Sequence, residues 1–521
     1  MAMRVGSSRF RERRILGALL ALATVAVLSW WPAATSLAAE PPQYVALAPL
    51  SDYFVAGDNW DEPSVPLQPP ANSSQAPVPL PPPEPPQQER SLAERVEALE
   101  RYIHEPKQKT EAVVEEPLPD AQEEKVEDDG TPQKIDIIVK PTYKWRGRMF
   151  IDGISYDDDD DTTDFFGTDR ENEFGFDTVR LGVQGDIYEN ITYVLEVEFE
   201  GTEVDFKDVF AEAHSLPVIG YVRAGHFKEP IGLEELVSSR FDTFMEQSYA
   251  TLSFTPSRNY GVMMYNHLDA CQDATWFLGT FRHESDDSPT AIATQRDDRN
   301  DWSVSSRFAW LPYYDEPSEG RYFVHLGGSH SYRNAASAAE FGTGAYVGNQ
   351  PPVGVGALAE NDDWNQFGAE FAVVWGAISL QYEYFHAFVT SGEEYHGAYV
   401  QLSYFLTGEH RGYNKGTKFF DRVHPFEPAF WIDTLEGCCY GRGAWELAAA
   451  YSFVDLEDGE DIAAGEEERA SVDGFILGVN WYLNPYSRVM FNYNHEITDF
   501  FNAATPGSNA NIFGVRWQVD W

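Results

Sequence analysis

Phe513-Gly514-Val515-Arg516-Trp517-Gln518-Val519-Asp520-Trp521 ends the chain, and its alternation decides the fold. Every odd position is apolar or aromatic, and every even one is small or polar. Successive side chains of an extended strand point to opposite faces. One face of this strand therefore meets an apolar medium while the other meets water.

The same rhythm recurs upstream. Leu195, Val197 and Phe199 alternate with Glu196, Glu198 and Glu200, and Val179, Leu181 and Val183 alternate with Arg180, Gly182 and Gln184. Tyr451 with Phe453 and Phe491 with Tyr493 mark two further runs, and helical periodicity is nearly absent after residue 135. The pattern predicts about sixteen strands, near 143–156, 173–187, 190–201, 204–215, 219–228, 258–268, 273–284, 299–310, 320–332, 362–376, 377–390, 394–407, 441–455, 471–483, 486–499 and 509–521. Many exceed the five or six residues common in soluble sheets and suit a tilted crossing of a bilayer. Tight connections fall at Glu189-Asn190, Leu216-Pro217, Gly376-Ala377 and Asn484-Pro485, and long ones at 157–172, 229–257, 285–298, 333–361 and 456–470. Short turns on one rim and long loops on the other describe an all-β transmembrane antiparallel barrel in the outer membrane. Residues 408–440 break the scheme: the segment is long, yet strand parity puts it on the short-turn side. A further strand pair there would raise the count to eighteen. A water-soluble secreted β protein is the alternative; strand length, aromatic density and the terminal Trp521 argue against it together.

Composition narrows the function. The chain has 521 residues, 37 of them Lys or Arg and 84 Asp or Glu, a net charge of −47. Polyphosphate is repelled by such a surface, which excludes nucleic acid as a partner. The region before 135 holds 12 basic and 21 acidic residues, leaving 25 and 63 in the body, a net of −38. Three cysteines (Cys271, Cys438 and Cys439) are too few for a disulfide scaffold.

The first 134 residues read as an address and a tether. Arg9, Arg11, Arg13 and Arg14 precede an apolar run from Ile15 to Trp31, and small residues follow at Ser36, Ala38 and Ala39. That order predicts a signal peptide over 1–39. Residues 40–90 are proline-rich, with Pro81-Pro82-Pro83 near the end, and read as an extended periplasmic linker. In 91–105, Ser91 with Glu94 makes a capping box, and Leu92, Val96, Leu99 and Ile103 keep a heptad spacing. So short a helix cannot hold alone; it needs further copies brought close by the body. Residues 106–134 read as an acidic linker and 135–521 as the barrel domain.

Several segments together resemble the phosphate-selective porin O and P family of bacterial outer-membrane proteins. They are Gly147-Arg148-Met149-Phe150-Ile151-Asp152-Gly153, Val179-Arg180-Leu181-Gly182-Val183 and Val222-Arg223-Ala224-Gly225-His226-Phe227-Lys228-Glu229-Pro230, continued by Leu233-Glu234-Glu235, Phe244-Met245-Glu246 and Arg258-Asn259-Tyr260-Gly261-Val262. Tyr404 to Glu409, Gly443 to Leu447 and Asn480 to Pro485 follow in order. The resemblance implies a sixteen-stranded barrel, a homotrimer, passage of anions such as phosphate, and an inward loop after the fifth strand, here about Glu229 to Ser257. It also implies rows of arginine and lysine in the pore. By alternation the water-facing candidates are Arg180, Arg223 and Arg516, and Lys228, Arg240 and Arg258 border the inward loop. Glu196, Glu198 and Glu200 stand against them, since a ring of carboxylates favours cations and a ring of guanidinium or ammonium groups favours anions.

Other chemistry is thin. Asp157 to Asp161 with Asp164 form an acidic run without the alternating ligands and glycine bend of a calcium loop. The histidines show no His-Glu-x-x-His spacing, paired-cysteine metal motifs are missing, and Gly-x-Ser-x-Gly is absent. The reading is a porin that is not an enzyme and carries no cofactor or catalytic or metal residues. Its partners are the lipid bilayer, further copies of itself, small solutes, and the assembly machinery that takes up the chain through Trp521. The alternatives are a plugged barrel that anchors a tether, a sugar-selective porin, and a barrel hydrolase.

Overall fold

The computed structural model describes residues 141–158, 170–200, 203–282, 302–334, 340–343, 353–357, 363–434, 437–458, 470–500 and 508–521. The predicted signal peptide, both linkers, the heptad helix and most of the acidic run from Asp157 lie outside them.

Sixteen antiparallel strands close into one barrel. They are β1 Lys144–Asp158, β2 Glu173–Tyr188, β3 Ile191–Glu200, β4 Glu203–Leu216, β5 Gly220–Lys228, β6 Arg258–His267, β7 Ala274–Arg282 and β8 Trp302–Tyr314, then β9 Tyr322–Asn334, β10 Trp364–Trp375, β11 Ile378–Val389, β12 Glu394–Phe405, β13 Ala444–Asp455, β14 Ala470–Asn484, β15 Ser487–Phe500 and β16 Ser508–Asp520. Closure satisfies the backbone of both terminal strands, as a membrane requires. Arg148 pairs with Asp520 and Asp158 with Ala510 across the β1–β16 seam. Beyond it, Gly147 and Trp521 exchange two N–H···O bonds of 3.1 Å. Gly147 is required there because a Cβ would fall 2.3 Å from the Trp521 indole.

Burial runs opposite to that of a soluble protein. Phe513, Val515, Trp517 and Trp521 are 44–52% exposed, whereas Arg516, Gln518 and Asp520 are 2–3% exposed. The apolar face of the terminal strand points out of the barrel and the polar face points in, the arrangement of a lipid-facing wall around a hydrated interior. Trp145, Tyr188, Tyr313, Trp375, Tyr404 and Tyr486 are exposed near the short turns, an aromatic collar of the kind found at a membrane interface.

Each predicted strand overlaps an observed one, and the barrel count is sixteen, not eighteen. The segment between β12 and β13 does pair, but within itself. Gly412–Asn414 pairs with Phe419–Asp421, and Phe430–Thr434 with Gly437–Gly441, in two small sheets separate from the barrel. The long-loop rim also carries two short links, between β3 and β4 and between β11 and β12, as the predicted strand bounds at 190–201 and 204–215 and at 377–390 and 394–407 require.

The interior is partly filled. Residues 229–257 turn inward and carry two short helices, α1 Leu233–Leu236 and α2 Tyr249–Phe254. Phe244, Met245, Tyr249, Ala250 and Phe254 pack on Phe385, Tyr395, Tyr399, Ala448, Val472, Ile476, Met490 and Ile512 of β11–β16. Leu233 and Val237 pack with Leu311, Phe323, Ala372 and Val374 of β8–β10 and with Tyr413 and Phe420 of the first hairpin. The loop therefore lies against the β8–β16 side, and open space remains toward β1–β7.

Candidate functional site

A cavity of about 710 Å³ occupies that space. Its walls are β1, β2 and β4–β7, with the inward loop opposite and residues 414–421 of the hairpin as a third side. All six residues singled out from the sequence line it: Arg180, Arg223, Lys228, Arg240, Arg258 and Arg516. Arg146 and Arg148 of β1 line it as well. Sequence reading missed these two, although they fall on the inward parity of β1, between Trp145, Gly147 and Met149. Six acids share the lining: Asp177, Asp208, Glu235, Asp242, Glu246 and Asp421.

The basic side chains are held by partners that leave them facing the cavity. Arg180 Nε and Nη2 reach Glu198 at 2.6 and 3.2 Å. Arg148 donates to Ser239 Oγ at 2.7 Å and to Glu196 at 3.2 Å, and Arg146 reaches Glu196 at 2.7 Å. Arg258 forks onto Asp208 at 3.1 and 3.2 Å. Arg223 donates to Glu212 at 2.7 Å. Arg516 binds Asp152, Asp177 and Glu246 and donates to the Met245 carbonyl at 2.6 Å. Arg240, on the inward loop, makes no ion pair among the described residues; its Nε donates to Ser238.

Two members of the carboxylate row expected to oppose these cations, Glu196 and Glu198, do not stand free in the lumen, and the side chain of the third, Glu200, lies outside the described residues. Glu196 and Glu198 are buried and occupied by Arg146, Arg148, Arg180 and Lys207. Alternation placed them on the correct face. It could not show that the arginines of β1 and β2 would lie over them.

The inward loop is held by buried acids. Glu229 accepts from Asn259, Ser303, Ser305 and Arg333. Glu383 of β11 accepts from the Leu233 and Glu234 amides at 2.5 and 2.8 Å, and also from Tyr399. Glu234 Oε2 accepts from the Ser248 amide and from the hydroxyls of Ser248 and Thr251. Tyr249 donates to Glu496 at 2.5 Å and accepts from Asn494 at 2.6 Å. Lys228 donates to the Glu235 and Val237 carbonyls, so it braces the loop as well as charging the cavity. Burial, reinforced by Glu234, holds the Asp242 carboxyl well above its ordinary range. Burial also pushes Glu246 up to about 7 against the pull of Arg516.

The first hairpin closes the space from the short-turn rim. Arg411 donates to Gln381 at 2.9 Å, and Tyr413 and His325 share a 2.8 Å contact. Lys415 pairs with Asp273 and Glu316. Lys418 donates to the Gln272 carbonyl, and burial pushes its pKa down to about 8. The visible sequence signal was the parity exception at 408–440. Nothing in the residues said that it would fold inward.

The family model for phosphate-selective porin O and P matches residues 151–521. An uncharacterized protein of Caulobacter vibrioides is 26% identical over 367 residues, covering 66% of this chain and 67% of that protein. Porin O of Pseudomonas aeruginosa is 23% identical over 372 residues, covering 65% and 80%. Among solved structures, the anion-selective porin from Comamonas acidovorans overlays at 12% identity with a TM-score of 0.43, covering 73% of this chain and 100% of that one. The outer membrane channel DcaP of Acinetobacter baumannii overlays at 12% identity with a TM-score of 0.44, covering 73% and 98%.

Proposed function

This chain belongs to the phosphate-selective porin O and P family, and we propose that its outer-membrane channel prefers small anions, phosphate among them. The observation that carries the reading is the cavity lining, eight basic side chains against six acidic. It sits inside a body whose net charge is strongly negative. Arginines held by buried carboxylates present their remaining N–H groups toward the cavity at fixed positions. Such donors replace part of an anion's hydration as it passes the waist. Arg240 adds a cation that forms no ion pair with a carboxylate among the described residues. Movement is passive, down a gradient, and the inward loop with the hairpin sets the size limit. Arg146, Arg148, Arg180, Arg223, Lys228, Arg258 and Arg516 form the wall side of the waist in this reading, with Lys228 at the end of β5 also bracing the loop, and Arg240 stands on the loop side.

Reversal potential in a planar bilayer under a KCl gradient tests this. An anion-directed potential is expected; a cation-directed one would overturn the preference.

A homotrimer completes the proposal. The heptad at 91–105 supports it, and the family resemblance implies it. β1 enters the barrel at the short-turn rim, which supports a periplasmic location for residues 40–134. Deleting 91–105 is expected to lower the temperature at which the trimer dissociates on heated gels, with single-channel conductance retained. An unaltered dissociation temperature would count against the helix as a trimer clamp.

A further inference from the structure

We propose that the channel favours organic anions bearing a flat apolar group, with aromatic carboxylates and sulfonates as the model class, over compact anions of equal charge. This rests on the anion preference above and adds the kind of anion. Porin interiors are polar as a rule, yet part of this cavity is aromatic. Phe210, Tyr221 and Tyr265 of β4–β6 line it half-buried, with Phe277 of β7 beneath. Tyr221 and Tyr265 stack with centroids 4.5 Å apart and planes within 4°, and Tyr265 continues onto Phe277 at 5.3 Å. Phe241 of the inward loop and Phe419 of the hairpin line the same cavity, also half-buried.

A cation stands at this strip. The Arg223 guanidinium lies 4.0 Å from the Phe210 ring centroid and 5.9 Å from that of Tyr265, while its Nε holds Glu212. Arg258 and Lys228 line the same cavity. Aromatic surface left against water is unfavourable, and a solute ring that covers it gains by stacking. An anion with a ring satisfies both features at once: the ring lies on the strip and the charge meets Arg223. Inorganic phosphate supplies only the charge, and a neutral sugar supplies only a face to stack.

The test is block of KCl current through the full chain reconstituted in planar bilayers. The probes are benzenesulfonate, methanesulfonate, inorganic phosphate and cellobiose. Benzenesulfonate is expected to half-block at a concentration about tenfold below methanesulfonate, one stacked ring being worth about that factor. In a Phe210→Ser, Tyr265→Ser variant the ratio is expected to fall to about one. Equal block by the two sulfonates in the unaltered channel would overturn the proposal, as would stronger block by phosphate. Cellobiose blocking as well as benzenesulfonate would also overturn it, in favour of a sugar track. The KCl reversal potential of the same channels separates the two readings. A cation-directed value removes the anion preference itself, whereas an anion-directed value with equal sulfonate block removes only this inference. If the double variant does not insert, the ratio in the unaltered channel decides alone.

Discussion

Replacing Arg180 and Arg223 together by glutamate is expected to reverse the ion preference of the channel. The lining would change from eight basic and six acidic side chains to six and eight. In a tenfold KCl gradient the potential is bounded by about 59 mV in either direction, and it should cross zero from the anion side. The matching pair Arg180→Gln, Arg223→Gln leaves six of each and should bring the potential between that of the unaltered channel and that of the glutamate pair. A graded series of this kind separates charge from shape, since glutamine and glutamate are nearly equal in size. Glutamate at 180 would face Glu198, which Arg180 now grips with two bonds. That juxtaposition costs stability, so retention of the folded barrel on gels should be checked first. If the folded glutamate pair keeps the anion-directed potential, these two positions lie outside the waist.

The second large effect is expected from Gly474→Val. A Cβ at Gly474 would fall 2.3 Å from the ring of Tyr249, which is fully buried and tied to Glu496 and Asn494. Gly478 and Gly514 leave similar room for Phe244 and Met245. A branched side chain cannot share this space. Overpacking of this sort costs about 1–3 kcal/mol, and here the loop can yield while the sixteen-stranded hydrogen-bond network stays closed. Single-channel conductance should rise about twofold or more, in proportion to the widened path, with a weaker reversal potential because Arg240 leaves the waist. Unchanged conductance in a folded channel would mean that the loop is held elsewhere, with Glu229 and Glu383 the first places to look.

The strands were legible because lipid and water divide them residue by residue. In Phe513–Trp521 each side chain answers to one medium or the other, and no distant contact is needed to read it. The same parity put Arg180, Arg223 and Arg516 on the inner face. Arg146 and Arg148 follow the rule too, but Gly147 to Gly153 was read as a family segment and its parity was not used to pick pore residues. What filled the lumen was harder to see. Residues 229–257 announced themselves by length, and Lys228 and Glu229 by their place in a familiar motif, yet the motif did not say that Lys228 holds two carbonyls. Tyr413, Phe419 and Phe420 gave no hint that they turn inward, because an aromatic residue in a turn reads the same whether it faces lipid, water or a cavity.

The chain alone settled that a barrel forms, where its long strands run and which way their side chains point, since those follow from local alternation between two solvents. Tertiary structure alone decided that Glu196 and Glu198 are covered by arginines, that the loop and hairpin crowd one side, and that cations and aromatic rings line one cavity. Those outcomes depend on which distant residues meet across the lumen. Groups hundreds of positions apart, such as Tyr249 and Glu496, acquire a relation only when the seam between β1 and β16 closes.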